Sequence, residues 1–422
     1  MLQGDPVRIA VVGTGIAGLA TAYFLQSHHE VVVFEAADRA GGHTHTVRVD
    51  FPDETHHVDC GFIVHNQRNY PLLTRLFHEL QVETQESEMT FSVINERTGC
   101  EWNGKNLATM FAQPRNLMRA DFLKMLIDIT RFNRHAYELL RSDDLQDDPT
   151  LEEFLDRHSL RGDVVTNYIV PLGSAIWSAD PTTFTTFPAR SLFQFLDNHG
   201  LLRIGGRPVW RSVSGGASTY VDRITTQLAD RVRLSSPVTG VERTNGSVRV
   251  TTSQGTTDEF DHVVMACHVD EVLPLLANPS VIEKEVLAAF RYQPNVITLH
   301  TDRTMLPKSP RAWASWNYHV TAEPRTLPTV TYHMNRLQRL QSQHQILVTL
   351  NRHDEIDESK VLRRFVMTHP VYDHATVSAQ HRLSVIQGVD RVWFAGAGWG
   401  HGFHEDGLRS AVAVAAGLGV TW

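Results

Sequence analysis

Cysteine is nearly missing from this chain of 422 residues: only Cys60, Cys100 and Cys267 occur. An odd, sparse set excludes a disulfide framework and fits a reducing cytoplasm. None shows CxxC spacing, so no metal site is expected. Lysine is scarce as well, with Lys105, Lys124, Lys284, Lys308 and Lys360 the only five. The formal net charge is −8, which gives no support for nucleic-acid binding. No apolar run has the length of a membrane span. The stretch from Val7 to Leu25 is interrupted by glycines and has no charged n-region or cleavage site, so no signal peptide is expected. Internal repeats and long low-complexity linkers are also missing. What remains is ordinary for a soluble globular protein, 42% hydrophobic and 20% charged. The chain is too long for one simple core, so two domains are expected.

The first positive signal is near the start. Arg8 to Val12 is a short run rich in β-branched residues, as in a buried strand. Gly13-Thr14-Gly15-Ile16-Ala17-Gly18 follows. Gly13 permits a tight turn, Gly15 lets the backbone approach a pyrophosphate, and Gly18 lets the next helix pack on the strand. That helix is expected from about Ile16 to Gln26, its N-terminus favouring phosphate charge. Val31 to Phe34 is a second strand, closed by Glu35 at the spacing where an acid accepts hydrogen bonds from ribose hydroxyls. A lone GxGxxG is weak; here strand, helix, second strand and terminal acid come in order.

The motif Arg39-x-Gly41-Gly42 then points to FAD. It resembles the second nucleotide motif of the flavin amine oxidase, protoporphyrinogen oxidase and phytoene desaturase superfamily. Phe394-Ala395-Gly396-Ala397, followed by Gly402, Gly407, Arg409, Ser410 and Ala411, resembles its flavin-ring motif. Ser214-Gly215-Gly216, and Val238 with the strand Val263-Val264-Met265-Ala266, match segments that flank the adenine side. The resemblance implies an α/β fold: a Rossmann-like FAD-binding domain of glutathione-reductase type with a mixed α+β substrate domain. The cofactor contacts it implies are Gly13, Gly15, Ile16, Ala17, Gly18, Glu35, Ala36, Arg39, Gly41, Gly42, His43, Val238, Gly396, Ala397, Phe403, Asp406, Gly407 and Leu408.

A narrower bacterial branch is similar at Gly41-Gly42-His43-Thr44-His45-Thr46, Asp59-Cys60-Gly61-Phe62 and Trp313-Ala314-Ser315-Trp316. The most specific match is Gly402-Phe403-His404-Glu405-Asp406-Gly407-Leu408-Arg409-Ser410. These FAD oxidoreductases are encoded beside cyclopropane-fatty-acid-synthase-like methyltransferases. The resemblance implies a phospholipid or fatty acyl substrate, desaturation of methyl-branched chains on the route to furan fatty acids, and such a methyltransferase as partner. It also implies transient contact with the inner face of a membrane. A conventional amine oxidase releasing peroxide, a double-bond isomerase and a non-catalytic scaffold remain as alternatives.

Because the cofactor motifs lie at both ends and in the middle, the FAD domain is expected to be discontinuous, at 1–80, 205–270 and 385–422. The substrate domain takes 81–204 and 271–384. Thr244-Asn245-Gly246 signals a hairpin between Val238 and Val264. Residues 115–141 are helical in pattern, with basic residues interleaved. They fit either a helical pair packed on the substrate domain or a basic amphipathic surface for anionic lipid. An acidic break follows at 143–149.

For chemistry, Gly407 to Ser410 is expected to open a helix facing the flavin, with Asp406 as its N-cap. His404 is the acid/base candidate and Glu405 the group that holds or polarises it. His401 and His404 are not a strong metal signature. Trp177, Phe193, Trp313, Trp316 and Tyr332 are candidates for a tunnel wall. Two departures from the amine oxidase pattern stand out. Ala397 occupies a position where many amine oxidases carry an acid, and Gln293 to Thr298 lacks the lysine many carry near the flavin.

Overall fold

The computed structural model describes residues 6–144, 147–203, 205–206 and 208–422. Strand β1 (Arg8–Val12) leads through the glycine turn into helix α1 (Ile16–Leu25) and on to β2 (Glu30–Phe34). These form a five-stranded sheet ordered Val232–Arg233, β2, β1, His262–Met265, Val392–Phe394, with every pairing parallel. The strands are apolar on both faces because helices and a second sheet cover both sides. Helix α1 is buried almost all round, packed between Ser218–Leu228 and the C-terminal helix His404–Gly417. The second sheet is three antiparallel strands, Val238–Arg243, Val248–Thr252 and Thr257–Phe260. Its first turn is the hairpin expected at Asn245-Gly246, with Gly246 at φ +96°.

A seven-stranded sheet is ordered Val361–Val371, Arg291–His300, Leu347–Leu350, Thr329–His333, Trp316–Val320, Phe91–Asn95, Cys100–Asn103. All its pairings are antiparallel except that of Trp316–Val320 with Phe91–Asn95. Helices between residues 107 and 198 share one large core with this sheet. A small strand, Thr84–Glu86, pairs with Trp210–Val213 and ties the two halves of the molecule together.

Among the helices that follow α1 are α2 (Pro71–Glu79), α3 (Leu107–Met110) and α4 (Ala120–Arg141). Residues 115–141 therefore do not make a helical pair. A 3₁₀ turn at Pro114–Met118 precedes one long helix, because Arg119 between them is extended (φ −92°, ψ 108°). Helix α4 buries Phe122, Met125, Phe132 and Leu139. The acidic break lies between α4 and the helix Leu151–Arg157, with Leu145 and Gln146 outside the described residues. Val165–Ile169 is wound as a π-helix, a feature often found at functional sites.

Candidate active site

The glycine turn is built for a close approach. Gly13 sits at φ +105°, and a Cβ there would lie 2.8 Å from the Ala266 carbonyl oxygen. At Gly18 a Cβ would lie 2.0 Å from the Gly13 carbonyl oxygen, so the helix–strand contact requires glycine. Gly15 differs: no atom lies within 4 Å of a Cβ built there. That open space adjoins the α1 N-terminus, which has no side-chain cap, so its first amides are free to bind an anion. Glu35 is oriented by the Thr14 amide (3.0 Å), the Thr14 hydroxyl and the Ala37 amide (2.9 Å).

A cavity of about 1470 Å³ begins at this turn, along the C-terminal ends of the parallel strands, where ligands of open α/β sheets bind. It exceeds the roughly 300–1,000 Å³ of usual single-ligand pockets and has room for a cofactor and a substrate together. Gly13, Gly15, Ile16, Ala17, Glu35, Ala36, Gly41, Gly42, His43, Val238, Gly396, Ala397 and Phe403 border it. Gly18, Arg39, Asp406, Gly407 and Leu408 stand behind the wall. Arg39 donates to the carbonyls of Gly42 (2.8 Å) and Thr44 (3.2 Å) and so shapes the second loop. Gly407 lets the C-terminal helix meet α1, since a Cβ there would lie 2.8 Å from Ile16 Cγ2. Leu408 is fully buried between those helices. The Ser214–Gly216 turn does not border the cavity; Gly216 packs on Thr46 and Asp59.

Three expectations for the C-terminal motif are corrected. The helix starts at His404, three residues before Gly407, with Phe403 as N-cap. Asp406 is therefore in the first turn and reaches back to the amides of His401 and Phe403, both at 3.1 Å. Glu405 does not touch His404. Its two oxygens accept the Leu72 and Leu73 amides, both at 3.0 Å, and cap α2, whose own N-cap, Tyr70, offers no side-chain acceptor. His404 does border the cavity, but its Nε2 is held by Thr44 Oγ1 (3.0 Å) and the Tyr220 hydroxyl (3.2 Å). Its ring stacks on Phe62 at 3.7 Å. Burial pushes its pKa down to about 3, so it is neutral at pH 7, and its Nε2 is already committed to those two hydroxyls. Among the tunnel candidates, Trp177, Trp316 and Tyr332 border the cavity. Phe193 is buried in the helical core instead, and Trp313 donates to the Pro307 carbonyl in a separate cluster.

Two cavity residues escaped the sequence pattern. His268 and His369 flank His43, each with ring centroids 5.3 Å from it. His43 Nε2 donates to the Thr368 carbonyl (2.9 Å), and the Asn295 amide donates to His369 Nδ1 (3.0 Å). His268 Nδ1 pairs with Thr368 Oγ1 (3.0 Å), and its ring stacks on Tyr292. Burial lowers the pKa to about 4 for His43 and His268 and about 3 for His369. The three neutral rings form one wall. His268 had a sequence signal, since it stands just past a parallel strand's C-terminal end; His369 is brought in by long-range pairing of Arg291–His300 with Val361–Val371.

Comparison with known proteins agrees with this geometry. The model of the flavin containing amine oxidoreductase family matches residues 16–418. Flavin-containing amine oxidase A of Canis lupus familiaris is 27% identical over 278 residues, 63% of this chain and 50% of its own length. Flavin-containing amine oxidase B of Homo sapiens is 27% identical over 290 residues, 64% of this chain and 53% of its own. The chain thus spans about half the length of the curated relatives it matches. Among solved structures, the CLA-producing fatty acid isomerase from P. acnes superposes with a TM-score of 0.70 at 15% identity, covering 98% of this chain and 99% of that one. Cyclohexylamine oxidase from Brevibacterium oxydans IH-35A gives 0.67 at 16%, covering 98% and 100%. At such identities the likeness shows the fold alone. The chain belongs to the flavin-containing amine oxidoreductase family. That family is flavin-containing, which gives FAD as the cofactor. The open space at Gly15, the uncapped α1 N-terminus and the oriented Glu35 fit the dinucleotide part of that cofactor.

Proposed function

We propose that this protein is an FAD-dependent dehydrogenase of long acyl chains, acting on methyl-branched unsaturated phospholipid chains on the route to furan-type fatty acids. The lining of the cavity's substrate half supports this. Among the described residues, no aspartate or glutamate borders it from 89 to 203 or from 292 to 370. The charged side chains there are Lys105 and Arg203, both cations, paired with Glu88 and Asp197. The rest is largely apolar, as at Met89, Phe91, Leu126, Leu172, Trp316 and Tyr332. An alkylammonium ion would lose its water there and find no carboxylate. An acyl chain gains about 0.8 kcal/mol for each CH₂ it buries.

Bound FAD would supply the hydride acceptor. The proton lost from a second C–H has a neutral acceptor in the histidine wall at His43, which gives its Nε2–H to the Thr368 carbonyl and keeps Nδ1 to accept. Loss of one hydride and one proton from a branched monoene leaves a diene. A cyclopropane-synthase-like methyltransferase would supply the branch.

The fold does not choose the substrate, since it serves both a fatty acid isomerase and a cyclohexylamine oxidase. Kinship with the amine oxidases favours amine oxidation as a second function; the carboxylate-free lining and the lack of lysine in Gln293 to Thr298 oppose it. Lipid profiling of cells with and without the gene tests the proposal. Methylated acyl chains lighter by two hydrogens should appear only with the gene. Chains of unchanged mass with a moved double bond would make the protein an isomerase, and unchanged lipids would overturn the acyl-chain function.

A further inference from the structure

The cavity opens where the surface is apolar and basic at once. Leu107, Leu117, Met118, Leu123 and Ile127 are exposed by 73, 56, 86, 39 and 62%. They fall within 21 residues, on α3, the turn Pro114–Met118 and the first half of α4. Phe111 packs edge-on against Phe122, which fixes the end of α3 against α4. Scattered exposed apolar residues need no explanation, but a contiguous set marks an interaction surface.

Helix geometry places this set at the mouth. At about 100° per residue, Leu123 and Ile127 share a stripe of α4. One flank of that stripe carries Leu126, Thr130 and Asn133, which border the cavity. The other carries Lys124, Asp128 and Arg131. Lys105, Asn106 and Leu107 border the cavity and are exposed, so one opening lies beside α3.

Charge selects the partner. From 105 to 134 there are six basic residues (Lys105, Arg115, Arg119, Lys124, Arg131, Arg134) and two acidic ones (Asp121, Asp128), a net +4 in a chain of net −8, with Lys105 and Arg134 also paired to Glu88 and Glu138 outside that stretch. Arg115 and Arg119 donate to backbone carbonyls of Gly99 and Thr98, which leaves their charge available to an anion. Lys124 and Arg131 share the single carboxylate of Asp128.

We propose that α3, the turn Pro114–Met118 and the outer stripe of α4 dock on an anionic phospholipid bilayer and admit an acyl chain through the opening at Leu107. Exposed leucine, methionine and isoleucine enter the acyl boundary while arginine and lysine meet the phosphates. Among the described residues no helix is long and apolar enough to cross a membrane, so contact is from one side. The surface stands on its own geometry, and only the identity of what enters rests on the acyl-chain function.

The test is co-sedimentation of the flavin-loaded protein with vesicles of phosphatidylglycerol and phosphatidylcholine or of phosphatidylcholine alone. The protein should pellet with the anionic vesicles, less at high salt, at about fivefold in affinity per basic residue engaged. Leu117→Ser/Met118→Ser/Ile127→Ser should lower binding at least tenfold while keeping flavin absorbance and turnover of detergent-dispersed lipid. Arg115→Gln/Arg119→Gln should remove the preference for anionic vesicles. A wild type that stays in the supernatant, or a triple variant that binds as well, would overturn the docking surface. So would a dimer in solution that the triple variant dissolves, which would assign the face to a second copy. Vesicle binding with no lipid turnover would defeat the acyl-chain function and leave the docking surface standing; turnover of dispersed lipid with no vesicle binding would do the reverse.

Discussion

Gly15 and Gly18 stand three residues apart in one turn, yet their substitution should have opposite consequences. Gly15 has φ −59°, a conformation open to any residue, and no neighbour within 4 Å of its added Cβ. Gly15→Val should therefore fold with little change in intrinsic stability. Its isopropyl group would stand in the space beside the α1 N-terminus and keep the pyrophosphate out. At Gly18 the added Cβ would lie 2.0 Å from the Gly13 carbonyl oxygen and 3.0 Å from its carbon, both backbone atoms. Overpacking of this kind costs about 1–3 kcal/mol, and more where backbone must move. Gly18→Ala should thus lose stability even without FAD. The assay is flavin absorbance of the purified proteins, with thermal melts before and after adding FAD. Wild-type stability should rise by about 2.7 kcal/mol at a hundredfold excess of FAD over its dissociation constant. Gly15→Val should melt like the wild-type apoprotein and gain nothing from FAD, while Gly18→Ala should melt lower in both conditions. A Gly15→Val protein that retains full flavin would refute the cradle.

Other outcomes follow from the buried groups. His65, His199, His300, His333 and His404 are buried and His43, His268 and His369 half-buried, and desolvation lowers their pKa values to about 3 or 4. A depressed histidine pKa gives stability that is complete above the unfolded value of 6.5 and lost as pH falls, about 1.4 kcal/mol per group per pH unit. Asp59, raised to about 7 by burial, works in the opposite sense, as do Asp222, Asp270, Glu271 and Glu405, which burial also raises. Stability should therefore fall as pH drops below about 6.5 in a pH-dependent denaturation series; unchanged stability at pH 5 would contradict the neutral state of the histidines. His404→Phe should keep the stack on Phe62, cost about 1–3 kcal/mol through the lost hydrogen bonds of Thr44 and Tyr220, and leave turnover within tenfold. A loss of a hundredfold or more with FAD retained would restore a proton-transfer role. Glu405→Gln should lower the melting temperature through the weakened α2 cap, about 0.5–2 kcal/mol, with turnover kept.

The nucleotide half was legible because its signals are local. A β-branched strand, glycines at fixed offsets and an acid closing the next strand depend on neighbours in sequence, and β1, α1, β2 and Glu35 stand where the pattern puts them. The hairpin at Asn245-Gly246 is equally local. The C-terminal motif was legible as a place but not as a set of roles. Nothing in its sequence says that Glu405 faces α2, which lies more than 300 residues away in the chain, or that Thr44 and Tyr220 converge on His404. The histidine wall is also long-range: His43, His268 and His369 come from three segments joined only by sheet pairing and loop packing. Aromatics gave a mixed return, because a buried Phe193 and a cavity-lining Trp316 look alike in sequence.

The central claim is that the substrate half of the cavity, which no carboxylate borders, serves an acyl chain and not an amine. Anaerobic mixing of the flavin-loaded protein with a dispersed phospholipid bearing a methylated monoenoic chain, set against common primary amines and polyamines, tests it most directly. Flavin absorbance should bleach with the lipid, with two hydrogens lost from the chain per flavin reduced, and hardly change with the amines. Rapid bleaching by a simple amine, with the lipid inert, would contradict it.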